Sequence, residues 1–85
     1  MAKVSSKELL LKYISSVERV LNELKIKNEC SKNVFEVLEL AKQYFEDAKH
    51  FYSRGEFRTG LIAISYCEGL LDALRILGYI EFSWS

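Results

Sequence analysis

Apolar residues recur at three- and four-residue steps along three stretches of the chain, and polar residues fill the gaps between them. In the first stretch Leu9, Leu10, Tyr13, Ile14, Val17, Val20, Leu21 and Leu24 fall within one arc at about 100° per residue, the signature of an amphipathic helix. Ser5 and Glu8 have the spacing of a capping box, in which the serine accepts a free backbone N–H. The pattern predicts a helix over about residues 5–26, and "KIKNECSKN" reads as a polar connector. The second stretch runs from Ser31 through Val34, Val37, Leu38, Ala41, Tyr44, Phe45, Ala48, Phe51 and Tyr52, with Lys42, Gln43, Glu46, Lys49 and His50 opposite. It predicts a helix over 31–53. The third predicts a helix over 57–77, with Ile62, Ala63, Tyr66, Cys67, Leu70, Ala73, Leu74 and Leu77 as its core stripe.

Gly55 and Gly78 stand where the second and third helices must stop, and glycine can take the left-handed conformation that ends a helix. "YSRGEF" (52–57) is therefore read as the turn of a helical hairpin. A phosphate loop would need several glycines, so that backbone N–H groups converge on an anion. Three helices with short connectors predict an all-α, three-helix up-and-down antiparallel bundle, forming one domain over residues 1–85. In a hairpin folded about Gly55, Tyr44 falls level with Tyr66. The tail, 79–85, is strand-like in period: Ile80, Phe82 and Trp84 alternate with Glu81, Ser83 and Ser85. So aromatic an end is expected to dock, on its own bundle, on a sister subunit or on a foreign partner.

The third helix is apolar on more than one side. Leu61, Ile64 and Leu71 lie outside the assigned stripe, with Glu68, Asp72 and Arg75 beside them. A helix apolar on two sides is sandwiched or covered by a partner. The expectation is a homodimer whose interface uses Leu61, Ile64, Glu68, Leu71, Asp72 and Arg75, together with Phe82 and Trp84 of the tail; the alternative is that the tail folds over this second face. Glu68 and Asp72 are also the weak candidates for a hard-cation site, since carboxylates one turn apart can share an ion. Arg75 nearby gives the plainer reading of an ion-paired helix face.

Composition narrows the remaining chemistry. The 85 residues carry 12 basic and 12 acidic side chains and no proline. Seven Lys/Arg against four Glu before residue 33 leave an excess of +3, and five against eight afterwards leave −3. The small basic excess around Lys25, Lys27 and Lys32 falls short of the patch a nucleic-acid module carries, so nucleic-acid association is the alternative reading rather than the first. Cys30 and Cys67 form no CxxC and His50 is the one histidine. That set cannot supply the ligands of a zinc site or a Ser/His/Asp or Cys/His catalytic set. No cofactor is expected, and the chain reads as non-catalytic. The most apolar stretch, "GLIAISYCEGLL", is 12 residues with a glutamate inside, shorter than the roughly 20 residues of a membrane span. "MAKVSSKELLLKY" lacks the apolar run of a secretory leader. The expected setting is the cytoplasm, away from membranes.

Residues 44–78 resemble the archaeal family known as domain of unknown function 357. The matching positions are Tyr44, Asp47, Ala48, Phe51, Gly55, Tyr66, Glu68, Gly69, Leu71, Asp72, Ala73 and Gly78. The chain departs from the pattern at Gly60, where the family tends to alanine, and at Cys67, where it has a small alanine. The resemblance implies a three-helix bundle and an archaeal cytoplasmic source; it implies no activity. A more distant likeness runs to the HEPN helical proteins, which often accompany nucleotidyltransferases, through an aromatic helix, a Gly-x-aromatic turn and a Tyr-x-Glu helix. Members that cleave RNA carry an arginine five to seven places before a histidine. No arginine stands there before His50, which argues against an RNase of that type. The leading expectation is a self-associating protein-interaction module. The alternatives are a nucleic-acid-associated or nucleotidyltransferase-partner protein, and a metal or small-ligand binder at Glu68 and Asp72.

Overall fold

The computed structural model describes residues 4–27 and 31–85. Helix α1 spans Ser6–Glu23, α2 spans Lys32–Ser53 and α3 spans Phe57–Ile76. Two-residue strands, β1 (Lys25–Ile26) and β2 (Ile80–Glu81), complete the order α1–β1–α2–α3–β2. The all-α three-helix bundle read from the pattern is the observed fold.

The starts of α1 and α2 follow from their caps. Ser5 Oγ accepts the N–H of Glu8 at 3.1 Å, and Ser31 Oγ accepts that of Val34 at 3.3 Å, each satisfying a donor that has no intrahelical partner. The stops follow from glycine. Gly55 (φ 76°) and Gly78 (φ 86°) are left-handed. After α2, Gly55 N–H donates to Tyr52 O and Glu56 N–H to Phe51 O; after α3, Gly78 N–H donates to Arg75 O and Tyr79 N–H to Leu74 O. Both turns thus reuse the last free carbonyls of the helix before them. "YSRGEF" is a hairpin turn, closed outside by an Arg54–Glu56 ion pair at 3.3 Å.

The sequence extends α1 to residue 26, whereas the helix ends at Glu23. Leu24 is extended (ψ 148°), because the next residues pair with the tail: Lys25 lies opposite Glu81 and Ile26 opposite Ile80, antiparallel. Lys27 N–H adds a bond to Tyr79 O at 3.1 Å. Of the strand-like tail only Ile80–Glu81 forms a strand, and its partner is β1, just after α1, a pairing no local pattern announces.

The core lies between the three helices and is closed by Ile80. Leu10, Val17 and Val20 of α1, Ala41 and Ala48 of α2, and Ile64, Cys67 and Leu71 of α3 are fully buried. Gly60 makes the tightest approach, because a side chain there would meet Leu10 Cδ2. Tyr44 and Tyr66 stack at 5.3 Å between centroids, 19° between planes, so the hairpin register read about Gly55 holds.

Candidate interaction surface

The orientation of α3 decides which surface the protein offers, and it corrects the sequence reading. Ile64 and Leu71, assigned to a subunit interface, are completely buried in the chain's own core. Leu61 is partly buried against that core. Ile62, Tyr66, Ala73 and Leu77, assigned to the core stripe, face outward; Ile62 is 61% and Tyr66 59% exposed. The helix is turned by a little under one residue's arc of about 100° from the expected phase, so Ala63, Cys67 and Leu74 of the stripe stay in the core. Two apolar arcs compete along α3, and hydrophobicity alone does not rank them. The small residues do: Gly60, Ala63 and Cys67 lie on the inner arc with Ile64 and Leu71, and they let α3 approach α1 and α2 closely.

The outward arc runs through Ile62, Tyr66, Gly69, Ala73 and Leu77, with Ile76 beside it. Between Arg58 and Arg75 the exposed residues of α3 include no charge. A shallow groove runs along this arc, lined by Leu61, Ile62, Ser65, Tyr66, Gly69 and Leu70. Tyr44 of α2 stacks on Tyr66 at its edge, and the exposed Leu40 extends the apolar edge by one helical turn. Nothing lies within 4 Å of where a side chain on Gly69 would start.

On the opposite flank of α3, Asp72 and Arg75 meet the tail, with Glu68 one turn before Asp72. Trp84 Nε1–H donates to Asp72 Oδ1 at 2.8 Å, and Arg75 donates to the same oxygen from Nη2 at 3.2 Å. The Phe82 and Trp84 rings meet edge to face at 4.9 Å, with the Arg75 guanidinium 5.7 Å from the Phe82 centroid. Arg19 of α1 closes the clasp, its Nη2 donating to Trp84 O at 2.6 Å and Ser83 O at 3.1 Å. Phe82 and Trp84 are therefore half-buried on their own bundle, and the flank read as a subunit interface is covered by the tail. Burial, and secondarily the charge of Asp72, pushes the Glu68 carboxyl above its ordinary value of 4.5. Asp72 already serves two donors, and among the described residues no three His, Cys, Asp or Glu side chains cluster as metal ligands. Lys25 and Lys27 are exposed on β1 and just after it, and Lys32 at the start of α2. Cys30 lies outside the described residues; the Cys67 thiol is pushed up to about 12 by burial, helped by Glu68.

Arg19 and the Ile62–Gly69–Ala73 arc were missed as functional positions. Arg19 gives no signal, because it sits among ordinary polar positions of α1. The arc did carry one, an uncharged run with a glycine in mid-helix.

Fold and surface together define a small helical bundle clasped by its own tail, with one uncharged helix face open. The model of the family "Protein of unknown function (DUF357)" matches residues 12–80, and the chain belongs to that family. It matches no curated protein and no solved structure. Among the described residues no helix is long and apolar enough to cross a membrane.

Proposed function

We propose that this protein is a non-catalytic, self-associating interaction module of the cytoplasm, a homodimer that makes its contacts through the outer face of α3. The observation that carries the reading is the exposure of Ile62, Tyr66, Ile76 and Leu77 on one side of a helix with no intervening charge. Contiguous apolar surface of that kind is costly to leave in water and marks a protein contact. The tail clasp supports the same reading, because it covers the other flank of α3 and leaves the outer face as the open one. Asp72 is held by Trp84 and Arg75, a structural use that leaves a cation at Glu68 and Asp72 without favour.

The test is capture from native extract, with and without nuclease, by the tagged protein and by an Ile62→Glu/Tyr66→Glu variant, followed by binding of the purified captured chain. A purified protein that binds the parent and not the variant is the expected result. Equal capture by both would remove the outer face of α3 from the reading. Capture that disappears with nuclease would move it to nucleic acid.

A further inference from the structure

We infer that the occupant of the outer face of α3 is the same face of a second copy, running antiparallel in one register, with Tyr66 of each copy seated over Gly69 of the other. This rests on the reading of that face as a protein-contact surface, and it adds the arrangement.

The order of large and small side chains selects the register. Along the arc stand Ile62 and Tyr66, then Gly69 and Ala73, then Ile76 and Leu77. Two copies related by a two-fold axis level with the midpoint of residues 67 and 68 bring Tyr66 opposite the partner's Gly69. The same axis brings Ile62 opposite the partner's Ala73. Every large residue in the centre meets a small one, twice over, as a self-complementary two-fold interface requires. A parallel pair would put Tyr66 against the partner's Tyr66 and Gly69 against the partner's Gly69, a collision beside a void.

Gly69 is otherwise unexplained. It is not left-handed, no side chain approaches it, and a glycine in mid-helix costs about 0.8–1.0 kcal/mol relative to alanine. Close approach of a second backbone accounts for it.

Charge agrees. Arg58 lies in the first turn of α3, the end where a cation opposes the helix dipole. In the antiparallel pair it falls level with the partner's Leu77, at the helix end whose carbonyls favour a cation.

Size sets a limit on the contact. One helix face about 30 Å long and 10 Å wide outlines on the order of 300 Å², short of the roughly 800 Å² per partner of a standard interface. The two-fold places both α2 helices on the same side, where the Leu40 and Tyr44 edges of the two copies face each other. That edge widens the α3 outline without bringing it to the standard size, so the dimer is a small one that uses the α2 edges as well as the α3 pair.

The experiment uses the full chain with Cys30→Ser and Cys67→Ala, carrying either Ile62→Cys or Ala73→Cys, oxidised with diamide separately and mixed in equal amounts. The expected result is a covalent dimer in the mixture and little in either chain alone. Cross-linking of either chain with itself would overturn the antiparallel register. A monomeric mass for the parent in sedimentation equilibrium, at concentrations up to about a hundred micromolar, would overturn the second copy as occupant. That result would also remove the homodimer from the proposed function and leave the face as a contact for another protein, judged by face-dependent capture. Gly69→Leu is the companion variant. It is expected to weaken self-association at least tenfold while raising the melting temperature of the dilute monomer, and an unchanged association constant would sink the slot.

Discussion

The indole N–H of Trp84 donates to Asp72 Oδ1 at 2.8 Å, tying the penultimate residue of the chain to a helix twelve positions back. With the Arg19 bonds to Ser83 O and Trp84 O, this makes Trp84 a reporter of the clasp. Hydrogen bonds to charged groups contribute about 1.5–3 kcal/mol each, reduced here because Arg19 is partly exposed. Arg19→Ala is expected to shift Trp84 emission to longer wavelength, at a cost of about 1–2 kcal/mol. Asp72→Asn, which keeps an oxygen acceptor, should shift it less than Asp72→Ala. Emission unchanged in both alanine variants would show that ring packing alone holds the tail.

Ile62 and Ile64 are two residues apart and on opposite sides of α3. Ile64 is fully buried and Ile62 largely exposed. Ile64→Ala should lose about 2–5 kcal/mol, as buried truncations do. Ile62→Ala, measured at low protein concentration, should stay within about 0.5 kcal/mol. Urea unfolding checks both, and similar losses would mean that the phase of α3 is wrong.

Gly60 is packed tightly where Gly69 is open. A Cβ at residue 60 would overlap Leu10 Cδ2, with Phe51 Cβ at 3.4 Å. Gly60→Ala should therefore destabilise, although alanine is the better helix former; overpacking costs about 1–3 kcal/mol against a propensity gain of about 1 kcal/mol. Adding Leu10→Val should recover part of the loss, because it removes a methylene from the collision. Thermal melts of the two single variants and the double close the cycle. A more stable Gly60→Ala would show that Leu10 moves aside freely.

The Glu68 carboxyl titrates above 4.5 in the folded chain, through burial first and Asp72 second. A folded-state value raised above the unfolded one means that the folded chain holds this proton more tightly. The contribution is fully present below the unfolded value and is lost as pH rises through the folded one. Glu68→Gln should thus be more stable than the parent at pH 7. The difference should vanish towards pH 4, and solvent screening should keep it to about 0.5 kcal/mol. Denaturant midpoints from pH 4 to 8 test it; a less stable variant at neutral pH would contradict the assignment.

Cys67 is sealed in the core, its thiol pushed from 9.0 to about 12. At pH 8 the thiolate that would react with an alkylating reagent is scarce and enclosed. In a Cys30→Ser background, iodoacetamide should label the native protein at least a hundredfold more slowly than the unfolded one. The same sign rule makes stability fall as pH climbs from 9.0 towards about 12. Rapid native labelling would place Cys67 at the surface.

The amino-acid sequence by itself determined the three helices, the serine starts of α1 and α2, the glycine stops and the Tyr44–Tyr66 level. These are local: a serine accepting an N–H three residues on, a glycine at positive φ, a hairpin folded at one turn. Tertiary structure decided the rest. The end of α1 gave way to a strand because Ile80 and Glu81 arrive from the far end of the chain to pair with it. The inner side of α3 was chosen by close approach, since Gly60 admits Leu10 while the apolar residues on both sides satisfy the helical period equally well. That choice buried Ile64 and Leu71 and turned Ile62 and Tyr66 outward. Arg19 joined Trp84 across 65 positions, a separation over which only the folded backbone sets which groups meet.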